Sequence, residues 1–204
     1  MTITLSTETE YTHIPNHNQI LLTCEKNILS RLSTQTSVDS PSICDTRNIH
    51  NEMFNQLIPT FAGKYRGESG VNYAVKFGGR YGCPYHLVLQ TMTAIAPTIQ
   101  ALLEEFDRNV ANYDEMTKFS NLSIIAYWIV NKFIKVHPYV NGNGHISRYL
   151  IAALFIPNNY CSKNWSIHHH PISDQEYLNS MIAVGNDDYS LLIKLLDHCF
   201  CISQ

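Results

Sequence analysis

Residues 137–148 read HPYVNGNGHISR, and an apolar run, YLIAALFI, follows at once. Gly142-Asn143-Gly144 stands directly before what reads as a helix. A helix N-terminus offers free N–H groups and a positive dipole end, and glycines let a phosphate approach that backbone closely. Arg148 lies four residues past Gly144, so it returns to the same face one turn on and can clamp a phosphate with its planar fork. His137 precedes a proline at the other lip, where the chain is extended. A histidine facing an anion site and an arginine is a candidate general base. Taken singly, a Gly-Asn-Gly is most often only a turn and a histidine most often structural.

The elements that must position these residues are mostly helical. Lys118 to Lys135 carries Leu122, Ile125, Ala126, Ile129, Val130, Phe133 and Ile134 on one face and leads straight into His137. Gly144 to Ile156 is apolar nearly all round, which predicts a central helix. Further helices are expected over Asn18–Leu32, Thr46–Leu57, Pro84 to about Phe106 with a break at Pro97, Asp174–Val184 and Tyr189–Phe200. Residues 1–16 are polar and irregular, and Ser33–Ser42 reads as a linker. Between residues 70 and 81 the period changes: Val71, Tyr73, Val75 and Phe77 alternate with Asn72, Ala74 and Lys76, and Gly78-Gly79 supplies a tight turn. That is a hairpin signature.

The 204 residues suffice for one domain, with 45% hydrophobic and only 15% charged residues and a net charge of −3. A nucleic-acid binder would usually be basic, so no nucleic-acid partner is expected. No run of about 18 apolar residues stands out, so no membrane span is expected either. The N-terminus lacks a cationic start followed by an apolar stretch, so it is not a classical secretory signal. The six cysteines are scattered without a CxxC pair and are expected to be reduced and mostly buried. His168-His169-His170 and His198-Cys199 match no common zinc spacing.

HPYVNGNGHISR resembles the HPFx(D/E)GNGRxxR signature of Fic-domain proteins. Phe61-Ala62-Gly63-Lys64-Tyr65-Arg66 looks like that family's AGxxR segment, following IHNEMFNQL where the family has an IHxxLF helix. Residues 177–196 resemble its closing helices. The resemblance implies a mainly α fold, a Fic-type helical bundle with a small β-hairpin flap, over residues 46–204, preceded by an extension of a helix and a polar linker over residues 1–45.

It also implies a protein adenylyltransferase that moves AMP from ATP, with Mg²⁺, onto a Ser, Thr or Tyr hydroxyl of a target protein. His137 would be the base. Gly142, Asn143 and Gly144 would hold phosphate oxygens, with His145 beside them and Arg148 on the distal phosphates. The flap residues Asn72, Tyr73, Ala74, Val75, Lys76 and Phe77 would pair with the target's main chain as an added strand.

Three positions depart from the signature. Tyr139 replaces phenylalanine. Asn141 stands where an acidic residue holds Mg²⁺, and an amide offers only an uncharged oxygen. His145 stands where an arginine contacts phosphate, and neutral imidazole has one donor against five. The pair is therefore compatible with another donor (UMP, GMP or phosphocholine transfer) and with a non-catalytic nucleotide-binding scaffold. No glutamate is followed by Gly or Asn, so the family's inhibitory (S/T)xxxE(G/N) helix is not present as a motif. A separate inhibitor protein could act instead. The chain would be cytoplasmic, or secreted into a host cell by a specialised export system.

Overall fold

The computed structural model describes residues 10–202. The irregular stretch expected from residue 1 lies outside the described residues up to residue 9. Eight helices occur among the described residues: α1 (His17–Thr34), α2 (Ser40–Cys44), α3 (Arg47–Phe54), α4 (Val88–Asn109), α5 (Glu115–Val136), α6 (Asn143–Phe155), α7 (Asp174–Gly185) and α8 (Ser190–Cys199). Two short antiparallel ribbons complete the fold, β1 (Lys76–Phe77) with β2 (Arg80–Tyr81), and β3 (Tyr160–Ser162) with β4 (Phe200–Ile202).

Helix α5 starts because the Asp114 carboxylate accepts the Thr117 N–H at 2.7 Å, satisfying a donor that the helix itself cannot. It stops where His137 turns left-handed, at φ 52°. Its apolar face packs on α6, whose Ile146, Leu150, Ile151, Ala152, Leu154 and Phe155 are essentially inaccessible. Burying each large side chain of this kind contributes about 1.5–3 kcal/mol. Helix α7 opens with a reciprocal cap: Ser173 Oγ accepts from the Glu176 N–H at 3.4 Å and donates to the Glu176 carboxylate at 2.5 Å. Helix α1 sends Leu21, Ile28 and Leu32 into the same core as α5 and α6.

Several expectations need correction. Pro97 does not break α4, which runs on through it; the proline is exposed, so the carbonyl it frees faces solvent. The stretch Tyr85–Asn112 is long and apolar enough, by length and composition alone, to cross a membrane, although no such run was expected. Here Met92, Ile99, Leu103 and Phe106 pack it into the core. The linker at 33–42 runs into α2, capped by Asp39.

The hairpin is shorter than its alternation suggests. Only Lys76–Phe77 and Arg80–Tyr81 pair, with Gly78 and Gly79 both left-handed between them, as a two-residue turn requires. Val71 and Val75 are buried. One further bond joins the arms, from the Gly82 N–H to the Val75 carbonyl at 3.1 Å; before it the backbone bonds elsewhere, Val71 to Gly67 and Glu68 in local turns and the Tyr73 carbonyl to Arg66. The β3–β4 ribbon was not foreseen. Of the cysteines only Cys199 is buried, and Cys161 is exposed.

Candidate functional site

The loop between α5 and α6 is held from three sides. Arg66 is almost fully buried and spends its guanidinium on carbonyls. Nε donates to His137 at 2.8 Å, Nη1 to Tyr73 at 3.0 Å, and Nη2 to Cys83 and Val136, both at 2.9 Å. Burial pulls its pKa down to about 10, so it stays a cation and caps the negative C-terminus of α5. His50 stacks on Tyr139 at 3.8 Å. Its Nδ1 accepts the Gly63 N–H at 3.0 Å, which leaves Nε2–H to donate to the Asn141 carbonyl at 3.0 Å. The Tyr139 hydroxyl, the departure from phenylalanine, meets Thr46 Oγ1 at 2.7 Å.

The third hold is Asn143. Its amide oxygen accepts the Tyr139 N–H at 3.0 Å and its amide nitrogen donates to the Tyr139 carbonyl at 2.8 Å. Sequence reasoning put the Asn143 side chain on phosphate oxygens. In the structure that side chain holds the loop's shape, while the first-turn N–H groups of α6 have no intrahelical acceptor. Gly142, at φ +81°, is required here: a Cβ would stand 2.6 Å from the Phe54 ring.

His137 faces this helix start across a cavity of about 40 Å³, lined also by Phe77, Ile134, Asn143, Gly144, Ser147, Tyr177 and Met181. That is room for roughly one water. The Phe77 ring stacks on the His137 ring at 5.6 Å, so the hairpin covers the histidine. The return arm passes close behind, where a Cβ on Gly82 would meet His137 Cβ at 2.8 Å. Burial, then the Arg66 charge, pushes the His137 pKa down to about 4. Its imidazole is neutral at pH 7, the form a general base needs. Beyond Phe77 and Ile134, which line both spaces, a groove of about 480 Å³ opens between the hairpin and α7.

Arg148 is buried. Its Nε donates to the Ile167 carbonyl at 2.9 Å and Nη2 to the His168 carbonyl at 3.1 Å, while the guanidinium lies 5.3 Å over the Tyr177 ring. Nη1 has no hydrogen-bond partner and sits 3.4 Å from where a Gly144 Cβ would be. One nitrogen of a buried cation, with its two N–H groups, is therefore left over near Gly144. Glu25, on the buried face of α1, accepts the Ile167 N–H at 2.6 Å.

The structure does not bring the other two departures to the anion site. His145 lies edge-on to Phe54 at 5.4 Å and stacks on His168 at 5.8 Å. Burial drives its pKa well below the ordinary value, helped by the Arg148 charge, so it is not a phosphate-binding cation near neutral pH. Asn141 turns its amide oxygen onto the Gly142 N–H at 2.7 Å. Among the described residues no group of three His, Cys, Asp or Glu side chains could hold a metal ion. An inward-turned neutral amide without a carboxylate does not fit Mg²⁺.

Sequence reasoning named Phe77 only as a flap residue, and it missed His50 as a support of the loop and Glu25 as a support of Ile167. Glu25 left a signal, since it falls on the apolar stripe of Leu21, Ile28 and Leu32, where an unpaired charge would be costly.

A helical bundle with a hairpin laid over a histidine and a glycine-bounded helix start defines a Fic-type fold. The Fic/DOC family profile matches residues 42–155, and the chain belongs to that family. Among solved structures it resembles the N-terminal Fic domain of a cell filamentation protein, a VirB-translocated Bep effector, from Bartonella quintana with bound ADP. The TM-score is 0.58 at 14% identity, over 95% of this chain and 90% of that one. It also resembles the VirB-translocated effector BepC from Bartonella tribocorum with bound AMPPNP. Here the TM-score is 0.59 at 13% identity, over 92% of this chain and 89% of that one. No curated protein matches the chain.

Proposed function

We propose that the chain is a protein nucleotidyltransferase that moves AMP from ATP onto a Ser, Thr or Tyr hydroxyl of a target protein. The observation that carries this reading is that neutral His137 and the start of α6 at Asn143 and Gly144 line one cavity, with the unpartnered Nη1 of Arg148 3.4 Å from where a Gly144 Cβ would stand. His137 takes the proton of the target hydroxyl. The oxygen attacks the α-phosphorus in line, and the bond to the pyrophosphate oxygen breaks. The helix N-terminus and Arg148 hold the charge that gathers on the phosphate oxygens. Because the residues present do not fit Mg²⁺, no step is assigned to it. The hairpin edge at Lys76–Phe77 offers main-chain groups to a target strand. Fic relatives with bound ADP or AMPPNP, translocated as effectors, support a nucleotide donor and delivery into another cell.

For the donor to enter, Phe77 must swing off His137 and join the 480 Å³ groove to the 40 Å³ cavity. The closed cavity is the observation that favours the second reading, a nucleotide-binding scaffold without turnover. Peptide mass analysis of candidate targets after incubation with ATP, UTP, GTP and CDP-choline separates the readings. An added adenylate that disappears with His137→Ala is the expected result; another added mass names another donor. Nucleotide binding without any added mass from the four donors favours the scaffold.

A further inference from the structure

Cys161 and Cys201 occupy directly opposite positions on β3 and β4, and their sulfurs lie 2.9 Å apart. Directly opposite residues of an antiparallel pair project to the same face, and this face is solvent, with Cys161 exposed and Cys201 half-buried. The remaining cysteines are placed otherwise. Cys24 donates to the Glu52 carbonyl at 3.4 Å and Cys44 to the Ala96 carbonyl at 3.5 Å; Cys83 meets Thr91 Oγ1 at 3.7 Å, and Cys199 is buried. One pair among the six is thus accessible and already in register. It was invisible to spacing rules because 40 residues separate its members.

We propose that Cys161 and Cys201 form a thiol–disulfide exchange site that takes a disulfide-bearing oxidant, such as glutathione disulfide, and closes a reversible cross-strand disulfide. One cysteine, as its thiolate, attacks a sulfur of the oxidant. A mixed disulfide forms and one oxidant thiol leaves. The second cysteine loses its proton and attacks the mixed disulfide at the first cysteine's sulfur, releasing the other oxidant thiol. In sum, two protein thiols become one disulfide, and one oxidant disulfide becomes two thiols.

The bond would reach beyond the ribbon. An isolated two-stranded ribbon is marginal in water, and β3 feeds directly into the turn that supports Arg148. Ser162 Oγ donates to the Trp165 carbonyl at 2.9 Å, and Trp165 Nε1 donates to the Arg148 carbonyl at 3.0 Å. Two residues further, Ile167 holds Arg148 Nε. Strand β4 is the continuation of α8. Oxidation therefore fastens the loop under Arg148 to α8.

The chain is equilibrated with graded ratios of glutathione disulfide to glutathione, then unfolded, alkylated and weighed. Of six thiols, two are expected to lose reactivity together, six minus two leaving four, with a peptide map joining Cys161 to Cys201. The melting temperature of the oxidised chain is expected to rise by roughly 5–10 °C. The double variant Cys161→Ser, Cys201→Ser should melt at one temperature whatever the ratio. With Cys161→Ser alone, a glutathione adduct should persist on Cys201, because nothing resolves it. Six reactive thiols at every ratio, a persistent adduct on the native chain, or a map joining any other pair overturns the proposal.

Discussion

Glu25 and Arg148 grip the two peptide groups on either side of the Ile167 Cα: the Ile167 N–H donates to the Glu25 carboxylate at 2.6 Å, and the Ile167 carbonyl accepts from Arg148 Nε at 2.9 Å. Each charge meets the complementary end of its own peptide dipole, the N–H end facing the anion and the carbonyl end facing the cation. Glu25→Ala should leave a buried N–H without an acceptor and lower stability by about 1–3 kcal/mol in urea unfolding. Glu25→Gln keeps an acceptor and should cost less. Equal losses from both variants would mean that charge, not the hydrogen bond, matters there.

The Phe77 ring covers one face of the His137 ring. Phe77→Ala should raise the His137 pKa from about 4 towards the ordinary 6.5, since burial is its first cause. Ring-proton NMR titration reads this directly. The same variant should weaken target modification more than nucleotide binding, and an unmoved titration would show that the hairpin does not shield the ring.

His50, His137 and His168 each have the pKa pushed down to about 4 by burial. Between pH 4 and 6.5 the unfolded chain therefore binds more protons than the folded one, so stability rises with pH across that window. It should be fully present above about 6.5 and be lost as pH falls towards 4, by urea midpoints at constant ionic strength. A profile flat from pH 7 to 4.5 would contradict the burial of these rings.

Placing the familiar arginine at position 145 should not improve phosphate binding. His145 lies against Phe54 and His168, with the Arg148 charge nearby. His145→Arg would set a second cation into that pocket without an anion, at a cost of several kcal/mol. The expected result is a large drop in melting temperature and no gain in nucleotide affinity. A stable variant that binds ATP more tightly would show that residue 145 can reach the phosphates.

The parts of the site carried by local pattern were legible beforehand. The α5 face from Leu122 to Ile134, the apolar α6 and the Gly78-Gly79 turn each follow from period or backbone freedom within a few residues. What was hidden depends on distant segments. Arg66 meets Tyr73, Cys83 and Val136 only after folding, and Tyr160–Ser162 is too short to show any strand period before Phe200–Ile202 arrives. The direction of the His145 ring depends on the rotation of α6 about its axis. That rotation is decided by packing against Phe54 and Tyr11 rather than by the motif.

The carbonyls around Arg66 come from residues 73, 83, 136 and 137, the last two lying 70 and 71 positions along the chain from it. Until all have arrived, the guanidinium keeps its hydration shell, because a dry cation with missing acceptors would cost several kcal/mol. Partial docking of the loop is thus disfavoured, and the region assembles all at once or not at all. Amide protons of Arg66, Gly82, Cys83 and His137 should accordingly exchange with deuterium through a single shared opening event, with one common free energy.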